Sequence, residues 1–73
     1  MVKPTRVENR IRALRFAHGE MTQAELAERI GVTRQTVIAI EQGKYSPSLE
    51  VAFQIARVFG APLDDVFQYP SES

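Results

Sequence analysis

Four glycines, at positions 19, 31, 43 and 60, divide the chain into short segments in which apolar residues recur at helical spacing. Strand-like alternation is nearly absent. Each segment must bury one apolar stripe, and none can do so alone, so the segments are expected to pack together around one core. The sequence therefore predicts an all-α fold of five helices in one domain over residues 1–73.

Capping residues set the predicted helix bounds. Thr22 and Glu25 form a T-x-x-E capping box, in which the hydroxyl and the carboxylate each satisfy a free backbone N–H. Gly31 can adopt the left-handed conformation that ends a helix. The predicted helices run from about Glu8 to Ala17, from the Thr22 cap to Gly31, from the Thr33 cap to Gly43, from the Ser48 cap to Phe59, and from Pro62 to Phe67.

The second and third helices, with their very short connection, have the spacing of a helix-turn-helix over residues 22–42. This motif needs a small residue where the helices cross, a glycine opening the turn, an apolar plug in the turn and an inner stripe on the second helix. Each is common alone, but together they are specific. The residues that meet these needs are Ala27, Gly31, Val32, Val37 and Ile40.

The outer face of the third helix carries no acid and suits base edges in DNA. An arginine can grip guanine, a glutamine can pair with adenine, and an apolar side chain can lie against a thymine methyl. On an isolated helix this face would be an ordinary solvated one, but the turn geometry favours DNA contact. We predict base contacts from Arg34, Gln35, Ile38 and Ala39, beside Gln42.

Phosphate contacts are predicted in the first turns of the second and third helices and in the loop after the third. Helix N-termini offer free N–H groups and a positive dipole end to an anion, and such contacts position a protein without specifying sequence. Capping and solubility are the simpler roles for these residues, and both kinds of role can coexist. The predicted contacts are Gln23, Thr33, Thr36, Lys44, Tyr45 and Ser46.

Charge is unevenly distributed, although nine basic and nine acidic residues give a net charge of zero. The residues up to Lys44 have an excess of +3, and the remainder has an excess of −3. Such asymmetry can mark a part of the chain that faces nucleic acid. Glu41 lies at the border of the inner stripe, where Arg15 on the first helix is a candidate structural partner whose value depends on burial.

The chain contains no cysteine and one histidine, His18, which we interpret as structural. No thiolate metal site is possible, and no spacing suggests a carboxylate-rich one. We expect no metal, cofactor or catalytic residue, because so short a chain has little material for a pocket of roughly 300 Å³ or more. No apolar run approaches the roughly 18 residues of a membrane span, and no signal peptide is evident; we expect a cytoplasmic protein.

The fourth helix is apolar over an arc of about 220°, wider than a surface helix needs. Either a partner chain covers part of it or it lies centrally in the protein's own core, and the sequence does not separate the two. Two aromatic rings follow near the chain end. The first possibility predicts a dimerisation region over residues 49–69, with Val51, Ile55, Val58, Phe67 and Tyr69 at the interface.

The runs TQAELAERIGVTRQTV (22–37) and IEQGKYSPSL (40–49) resemble the Cro/C1-type (XRE) helix-turn-helix family of bacterial and phage regulators. The resemblance covers about residues 9–69, and the chain is similar to the short single-domain branch of cytolysin-repressor-type proteins. It implies a five-helix, lambda-repressor-like fold, an operator DNA ligand and a homodimer. It also implies a small antiparallel sheet between residues 6–8 and 67–69. Roles carried over by the resemblance are phosphate contact for Gln23 and Lys44, base reading for Arg34, Gln35 and Ile38, and structural pairing for Arg15 and Glu41.

These observations predict a sequence-specific transcriptional regulator of bacterial, archaeal or phage origin. We expect a repressor that binds an inverted-repeat operator as a homodimer, with helix 33–42 in the major groove. The alternative is an antitoxin-type interaction module that neutralises a partner and regulates its own promoter. In that case the apolar surface of the fourth helix would meet a different chain.

Overall fold

The computed structural model describes residues 6–44 and 46–70, and it is mostly helical. Five helices and two short strands follow one another along the chain. Their bounds are β1 Glu8–Asn9, α1 Ile11–Ala17, α2 Gln23–Ile30, α3 Arg34–Glu41, α4 Leu49–Phe59, α5 Leu63–Val66 and β2 Phe67–Gln68.

The predicted caps start the three middle helices. Thr22, Thr33 and Ser48 each accept a hydrogen bond from the backbone N–H three residues later. Gly31 ends α2 with φ of 74°, and its N–H donates to the carbonyl oxygen of Ala27. A residue with a Cβ is strained at such a φ, so glycine suits the tight turn into α3.

The predicted first and fifth helices were too long. The first was expected from Glu8, but α1 begins at Ile11, because the preceding residues pair with the chain end instead of forming a helical turn. The fifth was expected over Pro62–Phe67, but α5 ends at Val66, because Phe67 turns into the extended conformation of β2.

The small antiparallel sheet implied by the family resemblance is present, with a shifted position on the first strand. Glu8 lies opposite Gln68, and Asn9 lies opposite Phe67, in place of pairing over residues 6–8 and 67–69. Just beyond the sheet, the N–H of Arg10 donates to the carbonyl oxygen of Val66 at 2.9 Å. The sheet therefore holds the start of α1 against the end of α5.

The core lies where α2 meets α3 and α4. Ala27 is buried at this crossing, and a small side chain there lets the helices approach closely. Val32 packs against the core from the turn, as predicted. None of the helices in residues 6–44 and 46–70 has both the length and the apolar character of a membrane span. The side chains that are almost completely buried are Ile11, Leu26, Val37, Ile55 and Val66.

Candidate nucleic-acid interface

Helix α3 has one buried side and one open side. Val37 and Ile40 are buried and fix the helix against the core. On the other side Arg34, Gln35 and Gln42 are exposed, and Ile38 and Ala39 are half-buried. The predicted base-reading residues thus share one accessible face, which presents donors and acceptors but no carboxylate.

The hydroxyl groups of Thr33 and Thr36 form hydrogen bonds at the N-terminus of α3. The Thr33 Oγ1 accepts a hydrogen bond from the Thr36 N–H at 3.2 Å and lies 3.0 Å from the Thr36 Oγ1. Thr33 is nevertheless exposed. The other backbone N–H groups of this first turn have no carbonyl acceptor within the helix. This end of α3 can offer both a hydroxyl and backbone N–H groups to an anion.

The loop after α3 begins with a tight turn. The Lys44 N–H donates to the carbonyl oxygen of Ala39 at 3.0 Å, while its side chain is exposed. Ser46 is exposed on the same connection. Tyr45, the third predicted phosphate contact of this loop, lies outside the described residues. The described part of the loop leaves one ammonium and one hydroxyl open to solvent beside the end of α3.

A buried ionic network anchors the C-terminal end of α3. Arg15 is only 7% exposed, and its guanidinium donates to both carboxylate oxygens of Glu41, from Nε at 2.7 Å and from Nη2 at 3.1 Å. Its Nη1 also donates to the carbonyl oxygen of Met21 at 2.8 Å. The pair therefore joins α1, the turn before α2 and the last residue of α3.

Gln23 belongs to the same network. Its Nε2 donates to the Glu41 Oε1 at 3.2 Å, and the side chain is half-buried. Sequence reasoning assigned Gln23 to phosphate contact and did not foresee this bond, which joins residues far apart in the sequence. This bond uses one of the two Nε2 hydrogens, and the backbone N–H of Gln23, in the first turn of α2, has no helical carbonyl partner.

Glu25 is held at the start of α2 by the capping box. Its carboxylate accepts a hydrogen bond from the Thr22 N–H at 3.1 Å, and its own N–H donates to the Thr22 hydroxyl at 3.0 Å. The backbone bond from Thr22, followed by the hydroxyl of Thr22 and the charge of Arg29, holds the pKa of Glu25 below its ordinary value. The capping box fixes the position at which α2 starts beside α3.

Asn9 also positions α3, and sequence reasoning missed it. Its Nδ2 donates to the carbonyl oxygen of Ile40 at 3.0 Å, and its Oδ1 accepts from the Ile11 N–H at 3.2 Å. One side chain thus binds the first N–H of α1 and a carbonyl at the end of α3. An asparagine before an apolar helical stripe is a recognisable capping signal; its long-range bond has no local sequence signal.

An open cleft of about 960 Å³ lies beside this network. Its walls are α1, the first turn of α2 and both ends of α3. Sequence reasoning did not single it out, because three of its four arginines lie on α1 or just before it, outside the helix-turn-helix. The residues that line it are Asn9, Arg10, Arg12, Ala13, Arg15, Phe16, Thr22, Gln23, Ala24, Arg34, Glu41 and Gln42.

The predicted dimer residues need one correction. Ile55 is only 1% exposed and belongs to the protein's own core, so its side chain is not open to a partner. Val51, Val58 and Phe67 are half-buried and pack against that core, and Tyr69 is 65% exposed.

The apolar side chains that do open to solvent on α4 lie on its other edge. Leu49 is 68% exposed and Phe53 is 51% exposed, one helical turn apart. Sequence reasoning included both in the apolar arc of α4 but did not select them for the interface. The periodicity of so apolar a helix does not show which part of the arc meets the core.

Comparison with known proteins agrees with this geometry. The sequence pattern of the helix-turn-helix family matches residues 11–66, which span α1 to the end of α5. An uncharacterised HTH-type transcriptional regulator of Methanocaldococcus jannaschii is 47% identical over 66 residues, covering 90% of this chain and 98% of its own. The phage CTXphi transcriptional repressor RstR of Vibrio cholerae is 36% identical over 58 residues, which are 80% of this chain and 51% of the repressor.

Two crystal structures share the fold. A protein from Bacteroides fragilis superposes with a TM-score of 0.73 at 24% identity, covering 85% of this chain and 98% of its own. A transcriptional regulator from Listeria innocua superposes with a TM-score of 0.69 at 21% identity, over 90% of this chain and 64% of its own. From the sequence match over most of its length and from its named relatives, the chain belongs to the Cro/C1-type (XRE) helix-turn-helix family and is a transcriptional regulator with a helix-turn-helix DNA-binding domain.

Proposed function

We propose that the protein is a sequence-specific repressor that binds an inverted-repeat operator as a homodimer. The observation that carries this proposal is the division of α3, whose buried Val37 and Ile40 leave an acid-free face open on the opposite side. A helix of this kind, presented by a tight turn, fits the major groove of B-DNA.

Base recognition is assigned to the open face of helix 33–42. Arg34 has the planar donors to bind guanine O6 and N7 together, and Gln35 can pair with adenine N6 and N7. Ile38 can lie against a thymine methyl. Ala39 is small, so it admits a base edge close to the helix without adding a polar contact. Specificity then rests on few direct contacts.

Backbone contacts are assigned to the two helix N-termini and the loop after α3. Such groups set the register of the protein on DNA and carry no direct sequence information. The exposed positions of Thr33, Lys44 and Ser46 support this assignment. The full proposed set is Gln23, Thr33, Thr36, Lys44, Tyr45 and Ser46, with Gln23 contributing through its backbone N–H.

The proposed dimer uses the exposed apolar side chains of the acidic half of the chain. Leu49, Phe53 and Tyr69 are large and open to solvent, and the half-buried Val51, Val58 and Phe67 extend the candidate surface. In such a dimer two copies of α3 would enter successive major grooves about 34 Å apart, which requires an operator with two-fold symmetry.

Repression is supported by the relatives, one of which is named a phage repressor, and a regulator that binds operator DNA in a bacterium or archaeon would act in the cytoplasm. These relatives are called transcriptional regulators or repressors, and their names do not favour the antitoxin alternative. The proposed mechanism is occupancy: a bound dimer covers its operator and excludes other proteins from it.

Selection of bound duplexes from a random DNA pool tests the proposal. We expect a palindromic consensus with half-sites one helical turn apart. The Arg29→Ala variant, which removes an exposed arginine outside the α3 face, should select the same consensus. A pool without enrichment over random sequence would refute specific binding, and an asymmetric single half-site would refute the homodimer.

A further inference from the structure

The cleft beside α3 is strongly basic. Four arginines line it, and the single carboxylate among its lining residues is that of Glu41. Because Glu41 is paired with the buried Arg15, the two charges largely offset each other. The net charge of the cleft therefore comes from Arg10, Arg12 and Arg34, and we name it the basic cleft.

These three arginines are available to a ligand. All are exposed, and within residues 6–44 and 46–70 none of them forms an ion pair. Arg10 takes part in the fold through its backbone: its N–H donates to the carbonyl oxygen of Val66, and its own carbonyl oxygen accepts from the Leu14 N–H. Three unneutralised guanidinium groups around one concave surface repel each other, and an anion between them would relieve that repulsion.

An exposed aromatic ring helps to position one of them. Phe16 is 51% exposed and lines the basic cleft. The Cζ of Arg12 lies 5.6 Å from the centre of the ring, and the Cζ of Arg15 lies at the same distance. A guanidinium held on an aromatic face loses less conformational freedom when it binds a ligand.

The position of the basic cleft identifies its ligand. Arg34, which belongs to the proposed base-reading face of α3, and Gln42 beside that face also line the cleft, as do the first residues of α2. A duplex seated on α3 would therefore carry its backbone toward this cleft. The cleft has the charge, the bidentate donors and the open shape that suit a row of phosphates.

We propose that Arg10, which precedes α1, and Arg12 of α1 bind backbone phosphates of the operator next to each half-site, outside the helix-turn-helix. This inference rests on the proposed function, and it extends the DNA contact of each protomer onto α1. The contacts add affinity and salt dependence without adding sequence preference, because every base step presents the same phosphates.

The test is a salt titration of binding to the selected operator and to a scrambled duplex, using Arg10→Gln, Arg12→Gln and the double variant. Each lost phosphate contact flattens the slope of log K against log salt by about 0.9. A dimer carries every arginine twice, so each single variant should flatten the slope by about 1.8, and the double variant by about 3.6. Affinity should fall by a similar factor on both duplexes.

Arg29→Gln is the matched control, since it removes an exposed arginine on α2 that does not line the cleft. It should keep the wild-type slope, and all variants should keep the wild-type melting temperature, because the altered side chains are exposed. Ethylation interference should show phosphates flanking each half-site that matter to the wild type and not to the double variant.

The outcomes separate the two proposals. A wild-type slope in the double variant, or an equal loss in the Arg29→Gln control, would overturn the assignment to the cleft and leave specific binding intact. A loss confined to the operator would also overturn it, because that pattern belongs to base contacts. Failure of the wild type to prefer any sequence would overturn the proposed function itself.

Discussion

The guanidinium of Arg15 and the carboxylate of Glu41 form a two-point ion pair, with the shorter hydrogen bond at 2.7 Å from Nε to Oε2. The pair links α1 to the last residue of α3 and is largely shielded from solvent. Breaking such a pair by removing one partner is costly, because the other charge stays buried without compensation. The pair holds the C-terminal end of α3 in position against α1.

Replacing the acid in this pair is expected to destabilise the protein. Glu41→Ala should lower the free energy of unfolding by about 3 kcal/mol, the lower end for a broken buried pair, since Gln23 also loses its acceptor. Urea denaturation measures this. Glu28→Ala, at an exposed acid of α2, should stay within about 0.5 kcal/mol of wild type. Equal stability of the two variants would contradict a structural role for the pair.

Removing the arginine at the start of α3 is expected to change specificity. Arg34→Ala should weaken operator binding by about 1–3 kcal/mol and relax the preference at one position of each half-site. Competition assays with single-base operator variants measure both effects, with Arg29→Ala as the control. A uniform loss on all duplexes, with the base preference retained, would instead place Arg34 among the phosphate contacts.

A charge in the exposed apolar patch of α4, formed by Leu49 and Phe53, is expected to disrupt the proposed dimer. Burying a phenylalanine contributes about 1.5–3 kcal/mol, and every 1.4 kcal/mol is tenfold in affinity. Phe53→Asp should therefore raise the dimer dissociation constant at least tenfold, as measured by analytical ultracentrifugation. Gln54→Asp adds the same charge one residue away, on the polar side of α4, and should be milder. A dimer that tolerates Phe53→Asp would exclude this patch from the interface.

The core residue of α4 is expected to behave differently. Ile55→Ala should lower the free energy of unfolding by about 2–5 kcal/mol, because it leaves a cavity inside one protomer. Since Ile55 belongs to that core, the loss should also be seen in the Phe53→Asp background, by urea denaturation at concentrations where that variant is monomeric. If the loss disappeared in that background, Ile55 would have to contact the partner.

Acid is expected to weaken the start of α2 through Glu25. The pKa of Glu25 is lowered in the folded protein by its hydrogen bond from the Thr22 N–H, so protonation favours the unfolded chain. The stabilisation is complete above the unfolded pKa and is lost as pH falls through the folded pKa. Glu25→Gln keeps a cap acceptor but does not titrate, so its unfolding free energy should fall less in acid than that of wild type.

Unfolding at several pH values between neutral and acid measures this difference. Glu28→Gln removes an acid from the same helix that makes no hydrogen bond among the described residues, and it is the charge-matched control. An acid-induced loss in Glu25→Gln equal to that of wild type would show that the capping carboxylate does not contribute to the pH dependence.

The sequence predicted the elements that depend on neighbouring residues. The Thr22, Thr33 and Ser48 caps and the Gly31 terminus are set within one helical turn, and the structure has them where the spacing indicated. The early start predicted for α1 was wrong because Asn9 follows partners distant in sequence, pairing with Phe67 and donating to the Ile40 carbonyl. No local propensity records such partners.

The same distinction applies to the candidate site. The open face of α3 follows from its period and from the inner stripe at Val37 and Ile40. The bond from Gln23 to Glu41 and the grouping of arginines from α1 and α3 depend on how the helices pack. For α4, periodicity marked a wide apolar arc but could not show that Ile55 turns inward and Phe53 outward.

The anchoring of α3 has a consequence for how such proteins diversify. Its C-terminal end is fastened by Glu41 and the Ile40 carbonyl, whereas Arg34 and Gln35 take no part in that fastening. The residues proposed to set target choice and the residues that hold the scaffold are therefore separate. New side chains at the exposed positions 34 and 35 should redirect the protein to other DNA targets while changing stability by no more than about 0.5 kcal/mol each. The same fold can therefore carry different DNA specificities.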